Sequence, residues 1–573
     1  MEIKLQNKYV ETEEIRENTI TTISRPLNIS FNNNENIYLI YQYFVPNNNV
    51  RKKEMQLCFK NNYLNKNFTK IFLLNEQLYN NKQLGIHIED DSKLEQINIG
   101  KRLSFNDVYN FVNERELNGF IVICNSDIFF DDSIGLLNKT NLNNEKALVS
   151  LLRYEYRNYL HSLSDAPLFS SVSGPRGDSQ DSWIFHSKFN INKNNRKVFN
   201  IKFGQPGCDN KILYLYKVLG YNIYNDPLKI KTYHNHSELD RNYTIKERIH
   251  TPYLLCFPYQ PNGIRYKQTF LFHDSLRFNM EIDNNNLFDY IKNQFDKREH
   301  FIIPRIAGIE NNYAFIGNMI KNNSIPGSAL GYIKTTLPTM KNNTGINITS
   351  SSSIQEYSEL YLKSFENCHV YFDWDQGGNY YKHIKDSHNF ISNNYNSKKP
   401  VWTRTLDIFD YISNPWTHSL KGKTILIISS FIETIKKNIH NNSKIYDKEL
   451  FPECNFVFLK PPQTNGKNPS RSFQIELQEF CDKIKIFTQN NNYDIALVSC
   501  GGYGNLVCNY IYSLGKSSIY VGGVLQMYFG ILGTRWLRER PDIVKLYLNK
   551  YWLKPDENEK PLGYKNIEGS CYW

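Results

Sequence analysis

Five apolar residues, Phe120-Ile121-Val122-Ile123-Cys124, run directly into the polar string NSDIFFD, Asn125 to Asp131. The run is too short for a membrane span and has the length of a strand buried on both faces of a parallel sheet. A strand ending there delivers Asp127, and one turn later Asp131, to the carboxyl edge of the sheet. Open α/β sheets bind their ligands at that edge. Hard oxygen ligands there suit Mg²⁺ or Mn²⁺, and such an ion commonly carries a diphosphate. Taken by itself, the string also reads as a strand closing in an Asx turn.

The surrounding pattern supports a sheet. Asn36 to Tyr41 and Lys70 to Leu74 read as strands, and Phe105 to Arg115 as a helix before the strand that carries Asp127. In the last third, Thr424 to Ile428, Asn455 to Leu459, Tyr493 to Ser499 and Ser518 to Val521 read as strands. Phe431 to Ile439, Phe473 to Phe487 and Leu506 to Leu514 read as the helices between them. Strands alternating with helices imply parallel α/β architecture with right-handed crossovers. The first unit reads to about Tyr259, where the turn Gln260-Pro261-Asn262-Gly263 and an Asn-rich stretch near Asn284 mark a boundary zone.

At 573 residues the chain is long enough for more than one domain. Its net charge of +11 is spread among interleaved acidic and basic residues, without an arginine-rich arm. That balance suits nucleic acid or, equally, an anionic small molecule such as a nucleoside diphosphate, and no nucleic-acid module accompanies it. Ten cysteines lie scattered with no C-x-x-C pair, which argues against a zinc ribbon or a disulfide framework. Cys124 and Cys256 sit in apolar runs and read as buried thiols. The polar N-terminus is unlike a secretory signal and no stretch reaches the ~18 apolar residues of a span, so a cytoplasmic protein is expected.

Three further polar clusters follow Asp127. In DSQDSWIF, Asp178 to Phe185, Asp181 and Trp183 precede an apolar strand end. In GQPGCDNKILYLYKVLG, Gly204 to Gly220, helical spacing of Ile212, Leu215 and Leu219 sets Asp209 at or near the N-cap. There it is either a capping aspartate or, with Gly204 and Gly207 permitting close approach of a ligand, a general base facing a cleft. In KTYHNHSE, Lys231 to Glu238, His234 and His236 are two apart and point to one face of an extended segment. Such a pair binds a metal or serves structurally.

Taken in order, NSDIFFD, LLRYE (Leu151 to Glu155), SQDSWIF, GQPGCDNKI and IKTYHNHS resemble a GT-A-type glycosyltransferase over roughly Asn36 to His250. The resemblance implies that Asp127 plays the metal and diphosphate role of the D-x-D element, with Asn125 in its first place. It implies that His234 or His236 completes the metal shell, that Asn125 and Arg153 lie on the donor side, and that Asp181 lies near the sugar. Asp209 falls where inverting members keep the base that deprotonates the acceptor hydroxyl. The chemistry is coherent, because glycosyl transfer needs a neutralised leaving group and a carboxylate to take the acceptor proton.

Farther on, Gly501, Gly502 and Gly504 stand between a strand and a helix, free to cradle a phosphate or simply to make a tight turn. The spacing is not G-x-G-x-x-G and no ribose-binding acid follows, which disfavours nicotinamide cofactors. In FIIPRIAGIENNYAF, Arg305 and Glu310 follow an apolar strand. Gln526, Arg535 and Trp536 form a polar and aromatic cluster in an apolar run, suited to a sugar phosphate or to the core. With NNTGI, FLKPPQT and the closing IEGSCYW, these strings look like a bacterial and viral family related to GT-D-type glycosyltransferases, across about Phe288 to Trp573. Here Glu310 matches the Glu of that family's D-x-E element, Gly308 stands where the Asp belongs, and Arg305 is positioned to neutralise phosphate.

The expected architecture is α/β, two tandem Rossmann-like domains, with a GT-A-like mixed sheet followed by a doubly wound parallel sheet. The expected limits are a polar extension over 1–35, a first domain over 36–265, a linker over 266–287 and a second domain over 288–573. The expected function is a bifunctional glycosyltransferase, inverting in its first domain and using Mn²⁺ or Mg²⁺. It would move a sugar from a nucleotide-diphosphate donor to a glycan or glycoprotein acceptor, in a bacterium or an infected host cell. The alternative is a glycan- or nucleotide-sugar-binding scaffold built on degenerate domains.

Overall fold

The computed structural model describes residues 19–88, 92–157, 162–171, 174–236, 247–261, 280–373 and 387–573. The chain divides into two compact units, Met1–Asn279 and Met280–Trp573. The division falls inside the stretch 266–287 read as a linker, and Asn262 and Gly263 of the turn expected at Gln260 to Gly263 lie outside the described residues.

The first unit has strands β1 (Thr19–Ile23), β2 (Ile37–Tyr41), β3 (Lys70–Asn75), β4 (Leu94–Asn98), β5 (Phe120–Cys124), β6 (Ile128–Phe130) and β7 (Ala147–Leu152). After them come β8 (Tyr154–Tyr156), β9 (Ser170–Ser171), β10 (Gly174–Pro175), β11 (Gln180–His186), β12 (Asn222–Tyr224), β13 (Thr232–Asn235) and β14 (Tyr253–Phe257). Its main helices are α1 (Asn49–Leu64), α2 (Phe105–Glu114) and α3 (Cys208–Val218). The main sheet has seven strands in the order β12-β7-β11-β5-β2-β3-β4, and β6-β13-β8 form a smaller one. The main sheet is mixed because β11 runs antiparallel to both neighbours, while β2, β3, β4 and β5 are mutually parallel.

Strand β5 lies between β2 and β11, and every residue of it is buried. That central place is why its sequence is uninterruptedly apolar. Truncating Ile121 or Ile123 to Ala there would cost about 2–5 kcal/mol. Helix α2 starts at a capping box between Ser104 and Asp107, and α1 at Asn48, whose side chain accepts from the amides of Val50 and Arg51. The first 35 residues are more than a polar extension: β1 is buried over Thr19 to Thr22 and pairs in parallel with β14.

The second unit opens with α4 (Met280–Asp296), which begins within the stretch expected as linker. Its strands are β15 (Ile302–Ile303), β16 (Val370–Asp373), β17 (Lys399–Trp402), β18 (Thr424–Ser429), β19 (Asn455–Leu459), β20 (Ile495–Ser499) and β21 (Ser517–Tyr520). Five of them form an all-parallel sheet in the order β15-β21-β20-β18-β19, consistent with a Rossmann-like fold. Helices α5 (Gly308–Lys321), α6 (Ser351–Glu366), α7 (Phe473–Asn490) and α8 (Gly504–Ser513) contribute to its core. Helices α5 and α6 cross closely at Gly317, where a Cβ would lie 2.5 Å from the carbonyl of Ile354.

Among the described residues no helix is long and apolar enough to cross a membrane. All ten cysteines are free, and Cys124 and Cys256 are buried.

Candidate functional site

The turn after β5 carries the centre of the site. Cys124 ends the strand, the amide of Ile128 donates to the carbonyl of Asn125 (3.2 Å), and Asp127 emerges before β6. The small sheet then brings the histidines to it. Strand β13 pairs antiparallel with β6, where His234 faces Ile128, and parallel with β8, where His234 is the register partner of Glu155. The amide of Asn235 donates to the carbonyl of Asp127 at 3.0 Å, fixing that edge.

As a result His234 Nε2 lies 3.3 Å and His236 Nδ1 3.6 Å from Asp127 Oδ2. His234 Nδ1 lies 3.3 Å from Glu155 Oε2. Arg51, in the first turn of α1, makes an ion pair with the same Asp127 oxygen, while its Nη1 donates to Glu54 Oε2 and to the carbonyl of Asn235, both at 3.1 Å. Arg153 Nε donates to Glu155 Oε1 at 2.7 Å, and Arg153 also ion-pairs with Asp181. Asn125 Nδ2 donates to Asp181 Oδ1 at 2.7 Å. A continuous charged chain therefore runs Arg51–Asp127–His234–Glu155–Arg153–Asp181.

Asp181 reaches this chain because β11 carries an irregularity there. Against β7, Gln180 faces Leu152 and Ser182 faces Leu151, so Asp181 is the extra residue. A bulge of this kind re-aims a side chain next to a site.

The electrostatics follow from the contacts. Burial opposes the charge on Asp127, but His234, His236 and Arg51 hold its carboxyl well below the usual range. Burial would lower the His234 imidazole; Asp127 and Glu155 outweigh that and raise it to about 9. Glu155 is held at about 2 by His234 and Arg153 against its own burial.

Asp209 behaves in the opposite way. It lies in the first turn of α3, near the N-cap as expected; the cap itself is Gly207, whose φ of +79° suits glycine, so of the two readings of Asp209 the capping one is not met. Gly220 stops the helix with φ +80°. Burial, then the charge of Asp181, push the Asp209 carboxyl up to about 7; Asp178 adds to the rise. The nearby Cys208 thiol donates to Asp209 Oδ1 at 3.3 Å. A carboxyl poised near neutrality is what a general base requires.

Among the described residues, Asp127, His234 and His236 offer one ligand atom each within 4.8 Å of one another. His236 Nε2 is buried and makes no hydrogen bond among those residues. One carboxylate and two imidazoles form a donor set that fits a divalent ion of the Mn²⁺ or Zn²⁺ kind, and Mg²⁺ with added waters. Ser237 and Glu238, which close the histidine string, lie outside the described residues.

In the second unit Arg305, Glu310 and Arg535 are coupled electrostatically through Glu568 and Tyr572, and Arg535 Nη1 lies 3.5 Å from the Tyr572 hydroxyl. Arg305, just past β15, donates its amide to Asn505 Oδ1 at 3.0 Å and points Nη1 at the carbonyl of Val521 (3.4 Å). Glu310 is buried in the first turn of α5; burial and Glu568 raise its carboxyl to about 7 against the pull of Arg305. Gly501, Gly502 and Gly504 are filled by close neighbours, with a Cβ meeting Thr344 O at 2.6 Å, Ile346 Cγ1 at 2.5 Å and the Tyr520 ring at 2.2 Å. Gln526 is buried and donates to the carbonyls of Ile531 (3.1 Å) and Tyr572 (3.5 Å). Arg535 pairs with Glu539 at 2.9 Å, beside a buried Trp536.

Sequence reasoning did not single out Arg51, Glu54 or Glu155 as site residues. Glu155 stands in the string LLRYE and is the register partner of His234, a relationship set by strand pairing. The Arg51–Glu54 spacing is an i,i+3 helix pair, and nothing in it points to Asp127.

No protein-family model matches the chain, and no curated protein matches it. Among solved structures it is similar to a mannosyltransferase, PcManGT from Pyrobaculum calidifontis in complex with GDP-Man and Mn²⁺. That likeness has a TM-score of 0.24 and 9% identity, over 50% of this chain and 69% of that one. It is also similar to a glycosyltransferase (DUF1792) from Streptococcus sanguinis, with a TM-score of 0.24 and 12% identity, over 48% of this chain and 94% of that one. A selenomethionine structure of the DUF1792 domain gives a TM-score of 0.22 and 14% identity, over 48% of this chain and 96% of that one. Likeness at this level bears on no residue's role, and the chemistry rests on the geometry described above.

Proposed function

We propose that the first unit transfers a sugar from a nucleoside-diphosphate donor to an acceptor hydroxyl. The observation that carries this reading is the convergence of Asp127, His234 and His236 on one point, with Asp209 electrostatically coupled to it through Asp181. A divalent ion bound by the three ligands would neutralise the charge that develops on a leaving diphosphate.

The chain's own residues supply the rest. Asp209, raised to about 7, is half ionised near neutral pH and takes the acceptor proton as the new bond forms. Asp181, Arg153 and Asn125 hold one another in a fixed polar wall, suited to sugar hydroxyls. A single raised carboxyl able to take the acceptor proton is what a one-step, inverting transfer requires of this unit. Donor and acceptor held side by side supply much of the remaining acceleration.

For the second unit we propose a sugar-nucleotide-binding module related to the first unit's chemistry. The absence of an acid at Gly308 favours binding over catalysis, and Arg305 beside Glu310 supplies the cation for a phosphate. Both units would then serve the building of one glycan.

The test is release of nucleoside diphosphate, and of glycosylated product, from a panel of nucleotide sugars with the purified full chain and Mn²⁺. Turnover that falls at least about 100-fold in both Asp127→Asn and Asp209→Asn is the expected result. Absence of turnover with every donor, or turnover untouched by either substitution, overturns the reading.

A further inference from the structure

Three nitrogen donors converge on a single oxygen, Asp127 Oδ2. These are His234 Nε2 at 3.3 Å, His236 Nδ1 at 3.6 Å and the Nη2 of Arg51. The first two belong to the candidate metal shell. The third belongs to a guanidinium, which stays charged at any physiological pH and cannot ligate a metal. An ion using that oxygen competes with the Arg51 N–H for it and then remains beside a like charge.

The other half of the guanidinium is tethered. Arg51 Nη1 donates to Glu54 Oε2 and to the carbonyl of Asn235, both at 3.1 Å, and Glu54 is buried. Displacement of Nη2 therefore does not release the side chain. It leaves a fixed cation, 17% exposed, beside the oxygen an ion would use. A phosphate oxygen is the natural acceptor for its N–H groups.

We infer that Arg51 is a positioning residue that competes with bare divalent metal for Asp127 and favours metal only when a diphosphate arrives with it. This rests on the reading of Asp127, His234 and His236 as metal ligands. Its consequence is ordered occupancy: the nucleotide sugar and the ion enter together, because the negative charge of the diphosphate cancels the repulsion that Arg51 exerts on the ion.

The test uses the full chain and two probes: Mn²⁺ alone, followed by loss of the free Mn²⁺ electron paramagnetic resonance signal, and inorganic pyrophosphate at saturating Mn²⁺, followed by equilibrium dialysis. Arg51→Gln removes the charge while its amide can still donate to Glu54. The expected result has opposite signs, with Mn²⁺ alone binding about tenfold tighter and pyrophosphate about tenfold weaker. Arg51→Lys keeps the charge without the fork, so Mn²⁺ alone should bind as in wild type while pyrophosphate still weakens. Should Arg51→Gln fail to fold, as judged by circular dichroism, that Lys pattern decides, and tighter Mn²⁺ binding or undiminished pyrophosphate binding in Arg51→Lys overturns the inference. Mn²⁺ bound equally by wild type and Arg51→Gln, but lost in Asp127→Asn, overturns the inference and leaves the metal reading intact. Absence of Mn²⁺ binding in every form removes the metal reading and this inference together.

Discussion

His234 is the strand-register partner of Glu155, and its imidazole stands 3.3 Å from Glu155 Oε2 on one side and 3.3 Å from Asp127 Oδ2 on the other. Two short strands pairing in parallel thus fix one histidine between two carboxylates. Both partners favour the charged ring, which outweighs the effect of burial. Before any ion arrives, the cluster is satisfied as a chain of ion pairs.

Glu155→Gln should lower the His234 pKa from about 9 towards its ordinary 6.5 in metal-free protein. The sign for stability follows from the two shifts. The His234 contribution is fully present below about 6.5 and is lost as pH rises through 9. The Glu155 contribution is present above about 4.5 and is lost as pH falls through 2. The variant should therefore be less stable than wild type by about 1–3 kcal/mol between pH 4.5 and 9, with the gap narrowing above pH 9 to what the Arg153 contact retains. Histidine titration by NMR and thermal melts across pH check both parts.

Asp209→Asn should abolish the acidic limb of the rate profile. With the carboxyl at about 7, turnover by wild type should rise as pH increases through that value and level off above it. Loss of the base should lower kcat by about 10²–10⁴-fold with little change in donor KM. The same raised value makes native stability fall as pH climbs from about 3.8 through 7, a slope the Asn variant should lack. Initial rates and melting temperatures over pH 5 to 9, taken about every half unit, measure both.

Glu310→Gln should stabilise the second unit at alkaline pH. Glu310 lies buried with its carboxyl at about 7, so the native state disfavours its ionised form and loses stability as pH rises from about 4.5 through 7. The substitution should raise stability by on the order of 1–3 kcal/mol at pH 8 and change it little at pH 5. Denaturant unfolding at the two pH values decides it; a variant less stable at pH 8 would mean that the Glu310 carboxylate is held by Arg305 more strongly than burial opposes it.

Much of the fold is legible in the sequence because the buried strands are long apolar runs. Phe120–Cys124 and Asn455–Leu459 have the limits read for them, and Ser517–Tyr520 differs by one residue at each end. Strand Thr19–Ile23 escapes that reading because Thr19, Thr21 and Thr22 are buried polar residues, so the run looks hydrophilic. Helix α3 is legible in its apolar spacing and in its start near Asp209, but the capping residue is not. A glycine with positive φ took the capping place that a following aspartate would ordinarily claim.

For the site, the spacing of His234 and His236 and the strand end before Asp127 carry local information, and the structure brings all three together. Arg51 and Glu155 reach Asp127 and His234 only through helix placement and strand register, which depend on tertiary pairing. In the second unit, glycines after a strand look alike whether they face a phosphate or a neighbouring side chain. Only packing against Thr344, Ile346 and Tyr520 distinguishes the cases.

The central claim is that Asp127, His234 and His236 form one metal site. Anomalous diffraction at the manganese edge, from crystals of the full chain grown with Mn²⁺ and a nucleoside diphosphate, tests it most directly. The account expects one strong peak bonded to Asp127, His234 and His236, at about 2.0–2.3 Å from each, with phosphate oxygens completing the shell. A nucleotide in the cleft with no peak at that point, or manganese bound elsewhere in the unit, would contradict it.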